Sequence, residues 1–344
     1  MRIQAAHFWK LSVLTLIMIM GEFPVTYAQY PTLGKVIFNE SEMKVLIPED
    51  AVIEVLAGGF VWTEGPVWHG GNKSLLFSDV PKNKVYQWTP KDGITVFLEP
   101  SGYTGLGNYS REPGSNGLTI DPKGNLISCE HGDRRISIMS LEKGGKRTLS
   151  DNYQGKRFNS PNDVALHPAS GEVYFTDPPY GLEKGANDPT RELPFCGVYR
   201  ITSDGQTVLL TDQLTRPNGV AFSPDGSILY VAVSDPEKAH IMAYPVQSDG
   251  SLENGKILFD ATPMVKQGLP GLPDGLKTDK DGNIWTTGPG GVLVLSPEGK
   301  LLGRIDTGRP TANCAWGDDG TVLYITAQSY LCRIQTRTKG AGWK

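Results

Sequence analysis

One pattern recurs six times along the chain and limits its fold more than any single motif. Each unit opens on a polar residue, usually followed by Gly. Small or apolar residues come next, then a turn rich in Asp, Pro or Gly, then an apolar strand. The units read TEGPVWHGGNKSLLFSD from Thr63, SNGLTIDPKGNLISCEHG from Ser115 and PNDVALHPASGEVYFTD from Pro161. They continue as PNGVAFSPDGSILYVAVSD from Pro217, PDGLKTDKDGNIWTTGPGG from Pro273 and ANCAWGDDGTVLYITAQ from Ala312. The leading polar residues Glu64, Asn116, Asn162, Asn218 and Asp274 are spaced by 52, 46, 56 and 56, and the sixth unit begins 39 residues after Pro273. A further strand follows most units, as in KVYQW after Asn83 and GVYRI after Cys196. Three or four strands per roughly 50 residues, repeated six times, predict an all-β chain folded as a six-bladed β-propeller. The 41 glycines and 25 prolines supply its turns without reaching the level of a disordered chain. The segment AVIEVL from Ala51 is strand-like and available to close the ring against the final blade.

The expected plan is a leader over 1–28, an N-terminal extension over 29–50, the propeller over 51–337 and a short tail over 338–344. Arg2 and Lys10 flank a positive start, Leu11–Met20 is an apolar run, and Ala28 closes a small-residue cleavage pattern. About ten apolar residues suit a secretory leader and are short for a membrane span. The chain is therefore expected to be exported, periplasmic or secreted, with an uncleaved signal anchor as the alternative. A net charge of −4 offers no footprint for nucleic acid or an anionic membrane. A small neutral or acidic solute fits better. Cys129, Cys196, Cys314 and Cys332 contain no CxxC pair, so a thiolate zinc site is disfavoured. Two disulfides and four buried free thiols both remain open.

In a propeller the first strand of each blade lines the central channel, so one repeat position points at one axis. This register brings Glu64, Asn116, Asn162, Asn218 and Asp274 to one tunnel mouth. The sixth unit departs from the pattern. Aligning Trp316 with Phe222 puts Ala312 at the axial position and Asn313 one step off. Unneutralised carboxylates at such a point are costly. A hard, oxygen-loving cation resolves this, and Ca²⁺ takes carboxylates, amide oxygens and waters together. The lack of His or Cys at these positions argues against Zn²⁺ or Cu²⁺ as the preferred ion.

TEGPVW at Thr63, RFNSPNDV at Arg157, RPNGVAFSPDG at Arg216 and LPDGLKTDKDGNIW at Leu272 resemble the SMP-30/gluconolactonase/LRE-like family, as does CEHGDRRI at Cys129. The resemblance covers roughly residues 45–335 and is strongest to the bacterial gluconolactonases. It implies a six-bladed propeller and the hydrolysis of an aldonic acid lactone. It also implies one divalent cation, Ca²⁺ first and Zn²⁺, Mg²⁺ or Mn²⁺ as alternatives. Glu64, Asn218 and Asp274 would hold it with Asn162 beside them, and Asp274 would be the base. Some members carry a substrate-binding Arg two residues before the Asn of the third unit. Here Arg157 lies five residues before Asn162.

Lactone hydrolysis needs a water nucleophile, a polarised carbonyl and a proton acceptor. Asp274 is the candidate base and Glu64 a pure ligand. Asn116, Asn162, His131 and Arg157 are the candidates for contacting substrate. Asp79, Asp177 and Asp235 end the second strands and read as turn caps. Tyr103 and Tyr109 lie in a Gly-rich linker expected over the pocket. No GxSxG occurs, so serine hydrolase chemistry has no support. The alternatives are a broader lactone or ester hydrolase on this scaffold and a non-catalytic binding propeller.

Overall fold

The computed structural model describes residues 30–343, so the expected leader lies outside the described residues. Six antiparallel sheets, each of four or five strands, form the blades of a β-propeller. Blade 1 runs from Thr63 to Leu98, blade 2 from Ser115 to Ser150, blade 3 from Val164 to Thr211 and blade 4 from Pro217 to Asp260. Blades 5 and 6 begin at Leu276 and Asn313 and each gain strands from the chain start. Lys35–Phe38 adds an edge to blade 5 by pairing with Leu301–Asp306. Ile53–Gly58 pairs with Tyr330–Gln335 of blade 6, and Thr32–Leu33 pairs with Ile53–Gly58 in turn. The start and end of the chain thus share one sheet. Opening the ring would expose both edges, which favours closure.

The period-2 alternation of each strand presents apolar side chains to both neighbouring blades. The core is therefore a set of wedges between blades. Leu75, Phe77 and Trp88 of blade 1 meet Tyr324 and Leu331 of blade 6. Cys129 and Ile136 of blade 2 meet Phe175 and Tyr199 of blade 3. Trp285 and Val292 of blade 5 meet Cys314 and Ile325 of blade 6. All four cysteines are buried and unpaired, which settles the open choice in favour of free thiols.

The innermost strands carry the feature that builds the site. In blades 1, 2 and 4 a bulge interrupts pairing directly after Glu64, between Ser115 and Leu118 and between Pro217 and Val220. Bulges re-aim side chains, and here they turn the leading polar residue toward the axis. The glycine after it is needed because the next blade passes close by. A Cβ at Gly219 would lie 2.1 Å from the Asp274 carbonyl oxygen, and one at Gly275 would lie 2.0 Å from the Asn313 carboxamide carbon. These Asn-Gly and Asp-Gly pairs are packing points between blades, not turns.

Candidate active site

Glu64, Asn116, Asn162, Asn218 and Asp274 all line one cavity of about 630 Å³ at the tunnel mouth where the innermost strands begin. The walls are completed by residues that no repeat position marks. Trp62, Tyr180, Val265, Leu272 and Pro310 provide apolar or aromatic surface, and Arg111, Glu112 and Arg216 provide charge.

The three axial asparagines belong to one directional hydrogen-bond chain that ends on Ser234. Asn116 Nδ2 donates to Asn162 Oδ1 at 3.0 Å, and Asn162 Nδ2 donates to Asn218 Oδ1. Asn218 Nδ2 donates to Ser234 Oγ at 2.9 Å, and Ser234 donates to the Pro273 carbonyl. The chain crosses from blade 2 to the start of blade 5, and it fixes which face of each amide is carbonyl. The Asn116 Oδ1 at its head keeps no hydrogen-bond partner.

The two carboxylates are not links of this chain, though the Asn218 side chain also hydrogen-bonds the Asp274 carboxylate. Glu64 is 2% exposed, and its Oε2 accepts from the Gly65 N–H at 2.9 Å and from Asn313 Nδ2 at 3.2 Å. Asp274 Oδ1 has no donor. Neither carboxylate forms an ion pair with a cationic side chain among the described residues. Burial raises the pKa of both, and each is raised further by neighbouring negative charge. For Asp274 the Glu64 carboxylate is the second cause after burial. Asp163 sits where blades 1, 2, 4 and 5 place glycine and adds a third buried carboxylate in the tunnel. Its oxygens accept from the Val164 and Val220 N–H groups. No three His, Cys, Asp or Glu side chains converge as a metal cluster among the described residues. The axial set is two carboxylates with amide oxygens.

Asn313 reaches the axis after all. Blade 6 has no bulge, so its ladder keeps Trp316 level with Leu323, as Phe222 is level with Leu229 in blade 4. The simple alternation then sends Asn313 inward to Glu64, and the alignment alone could not show this.

His131 is fully buried and does not line the cavity. Its Nε2 lies 3.2 Å from Asn162 Oδ1, and its Nδ1 lies 3.8 Å from Glu112 Oε2. Burial lowers its pKa to about 4, so it stands neutral behind Asn162. Arg157 is exposed, does not line this cavity, and donates from Nη2 to the Asp133 carbonyl at 3.0 Å. Asp79 accepts from the Val61 and Trp62 N–H groups, and Asp177 from those of Asn159 and Ser160. These carboxylates hold the loops that lead into the innermost strands. Tyr103 and Tyr109 stack with centroids 5.0 Å apart, while their loop sends Arg111 and Glu112 to the cavity wall.

Known proteins share this architecture. The chain is 40% identical to a gluconolactonase of Zymomonas mobilis over 90% of its own length and 88% of that protein. It superposes on the structure of a Xanthomonas campestris gluconolactonase with a TM-score of 0.76 at 28% identity, covering 90% of this chain and 99% of that one. A calcium-binding regucalcin from Agrobacterium tumefaciens shares the fold, with a TM-score of 0.66 at 17% identity over 91% of this chain and 97% of that one. Residues 62–329 match the pattern of the SMP-30/Gluconolactonase/LRE-like region, and the chain belongs to that family.

Proposed function

We propose that this chain hydrolyses a sugar lactone of the aldonic acid type, such as gluconolactone, with one divalent cation, Ca²⁺ first, at the propeller axis. The observation that carries the reading is the pair Glu64 and Asp274. They are two adjacent carboxylates without a cationic partner, at the floor of a cavity of about 630 Å³. Unpaired charges of this kind are costly in a protein interior. Their raised pKa values state the same cost in protons. The donor set fits a hard cation. It offers two carboxylates and the Asn218 amide oxygen, with the Asp274 Oδ1 left free.

Bound there, such an ion supplies positive charge to an acyl oxygen that becomes negative during attack. The protein's own groups do the rest. Asp274 takes the proton from the attacking water. The water oxygen bonds to the acyl carbon, the acyl–oxygen bond of the ring then breaks, and Asp274 returns its proton to the ring oxygen, which leaves as a hydroxyl. Asn116 Oδ1 accepts from a sugar hydroxyl, held in place by the amide chain through Asn162 and Asn218. His131 positions Asn162 from behind. Trp62, Leu272 and Pro310 pack against the apolar edge of the sugar ring and limit water at the site. The name and 40% identity of the Zymomonas mobilis gluconolactonase support the substrate class, and the calcium-binding regucalcin that shares the fold is in keeping with a divalent cation, while Ca²⁺ itself rests on the oxygen donor set.

The test is a pH-drop assay of the purified chain on glucono-1,5-lactone, galactono-1,4-lactone and dihydrocoumarin, with chelator and with each divalent cation in turn. The reading expects the aldonolactones to be opened fastest and the chelator to stop turnover. No acceleration on any lactone with any cation would sink it. Faster opening of dihydrocoumarin would favour the broader hydrolase.

A further inference from the structure

Resting on that lactonase reading, we propose that the lactone this cavity takes carries an anionic group, such as a phosphate, sulfonate or carboxylate, at the end remote from its acyl carbon. Arg111 and Arg216 receive that group. Both line the cavity, and both are exposed, so they stand toward its opening and not among the buried axial groups. They reach it from different parts of the ring. Arg111 comes from the segment between blades 1 and 2, and Arg216 directly precedes the innermost strand of blade 4.

Neither guanidinium has a hydrogen-bond or ion-pair acceptor among the described residues. Several other arginines are held: Arg135 donates to Glu130 at 2.6 Å, Arg191 to Asn159 at 3.0 Å and Arg333 to Glu54 at 2.7 Å. The acids that feel the two free charges are occupied elsewhere. Glu112, whose pKa Arg111 works to lower, turns its Oε2 toward His131. Asp235, whose pKa Arg216 helps to lower, accepts from Thr215 Oγ1 at 2.8 Å and from the Glu237 N–H at 3.1 Å.

A guanidinium presents five donors and no acceptor. It suits a phosphate, sulfonate or carboxylate, which it grips in bidentate fashion, better than a neutral polyol whose hydroxyls must both give and take. The deep carboxylates do not need these arginines, because the axial cation neutralises them. The division of labour follows from the geometry. The axis handles the acyl group, and the rim handles the charge at the other end of the sugar.

Two measurements separate this proposal from the lactonase reading. The first compares kcat/KM for glucono-1,5-lactone and its 6-phosphate at low ionic strength. The second compares calorimetric binding of gluconate and 6-phosphogluconate to the cation-loaded protein. The proposal expects the wild type to favour the phosphorylated member of each pair by tenfold or more. The preference should fall as salt is raised. Arg111→Ala with Arg216→Ala should bring both ratios close to one, and Arg216→Lys should restore part of them. Equal binding of the two acids, or ratios unchanged in the double variant, would overturn it while leaving the lactonase reading intact. Preferred binding of the phosphorylated acid without hydrolysis of either lactone would support the arginine site and sink the lactonase reading.

Discussion

At one end of the tunnel the innermost strands begin with Glu64, Asn116, Asn162, Asn218 and Asp274 around a cavity of about 630 Å³. At the other end the same strands finish in Ile120, Leu166, Phe222 and Trp316 around a cavity of about 530 Å³. The C-terminal segment lines one side of that second mouth. Ala341 donates its N–H to the Thr278 carbonyl at 3.0 Å, Gly340 to that of Gly320 at 3.0 Å, and Trp343 lies on the cavity wall. The polar atoms there are satisfied where they are buried deepest. The Trp316 indole N–H donates to the Thr278 carbonyl at 2.9 Å, and Lys277 Nζ to the Leu276 carbonyl at 3.0 Å. At the first mouth Asn116 Oδ1, Asp274 Oδ1 and the Tyr180 hydroxyl are left without partners. A buried polar group left unpaired costs about 1–3 kcal/mol. Unpaired polar atoms gathered at one end of strands that pack well at the other are what the proposed site at that end requires.

Substitutions should separate the two mouths sharply. Asp274→Asn keeps shape and an oxygen at that position but removes the proposed base. It should lower kcat/KM on the best lactone by about 10²–10⁴-fold, measured with excess cation and with the circular dichroism spectrum unchanged. Glu64→Gln should lose activity chiefly through weaker cation binding, so excess cation should restore part of its rate. At the far mouth Trp343→Ala should lower the melting temperature by a few degrees while kcat/KM stays within about twofold of wild type. Activity lost at Trp343 and kept at Asp274 would reverse the comparison.

Asn313→Ala removes the amide that donates to Glu64. One such hydrogen bond is worth about 0.5–1.5 kcal/mol, so the cation concentration for half-maximal rate should rise by several-fold, read from a titration. The smallest effect concerns His131, held neutral with its pKa at about 4. The unfolded chain takes up a proton below about pH 6.5, and the folded one does not until about pH 4. Stability from this group is therefore present above pH 6.5 and is lost as pH falls toward 4. His131→Gln keeps a donor for Asn162 and removes the titration. Denaturant midpoints between pH 6.5 and 4.5 should fall less steeply for this variant than for wild type.

The blade count was legible because every blade repeats one strand–turn–strand signal. The axial position was legible because the repeat register carries it from Glu64 to Asp274. The sixth blade hid Asn313, since register in that strand depends on a missing bulge that composition does not mark. Trp62, Glu112, Tyr180 and Arg216 escaped because they sit on loops between repeats, where direction is set by tertiary packing. Arg216 stood in plain view beside Asn218, yet only its empty hydrogen-bonding environment gives it meaning. The polar neighbours of His131 in the sequence point to a substrate contact. Burial behind Asn162 makes it a support for that amide.

The most direct test strips the purified protein of metal and follows glucono-1,5-lactone hydrolysis as Ca²⁺ is added back, with Asp274→Asn measured beside it. The account predicts a negligible rate without cation, a saturable rise to full activity in the wild type, and no comparable rise in the variant at any concentration. A metal-stripped wild type that hydrolyses the lactone at full rate, or an Asp274→Asn variant that matches it, would contradict the account.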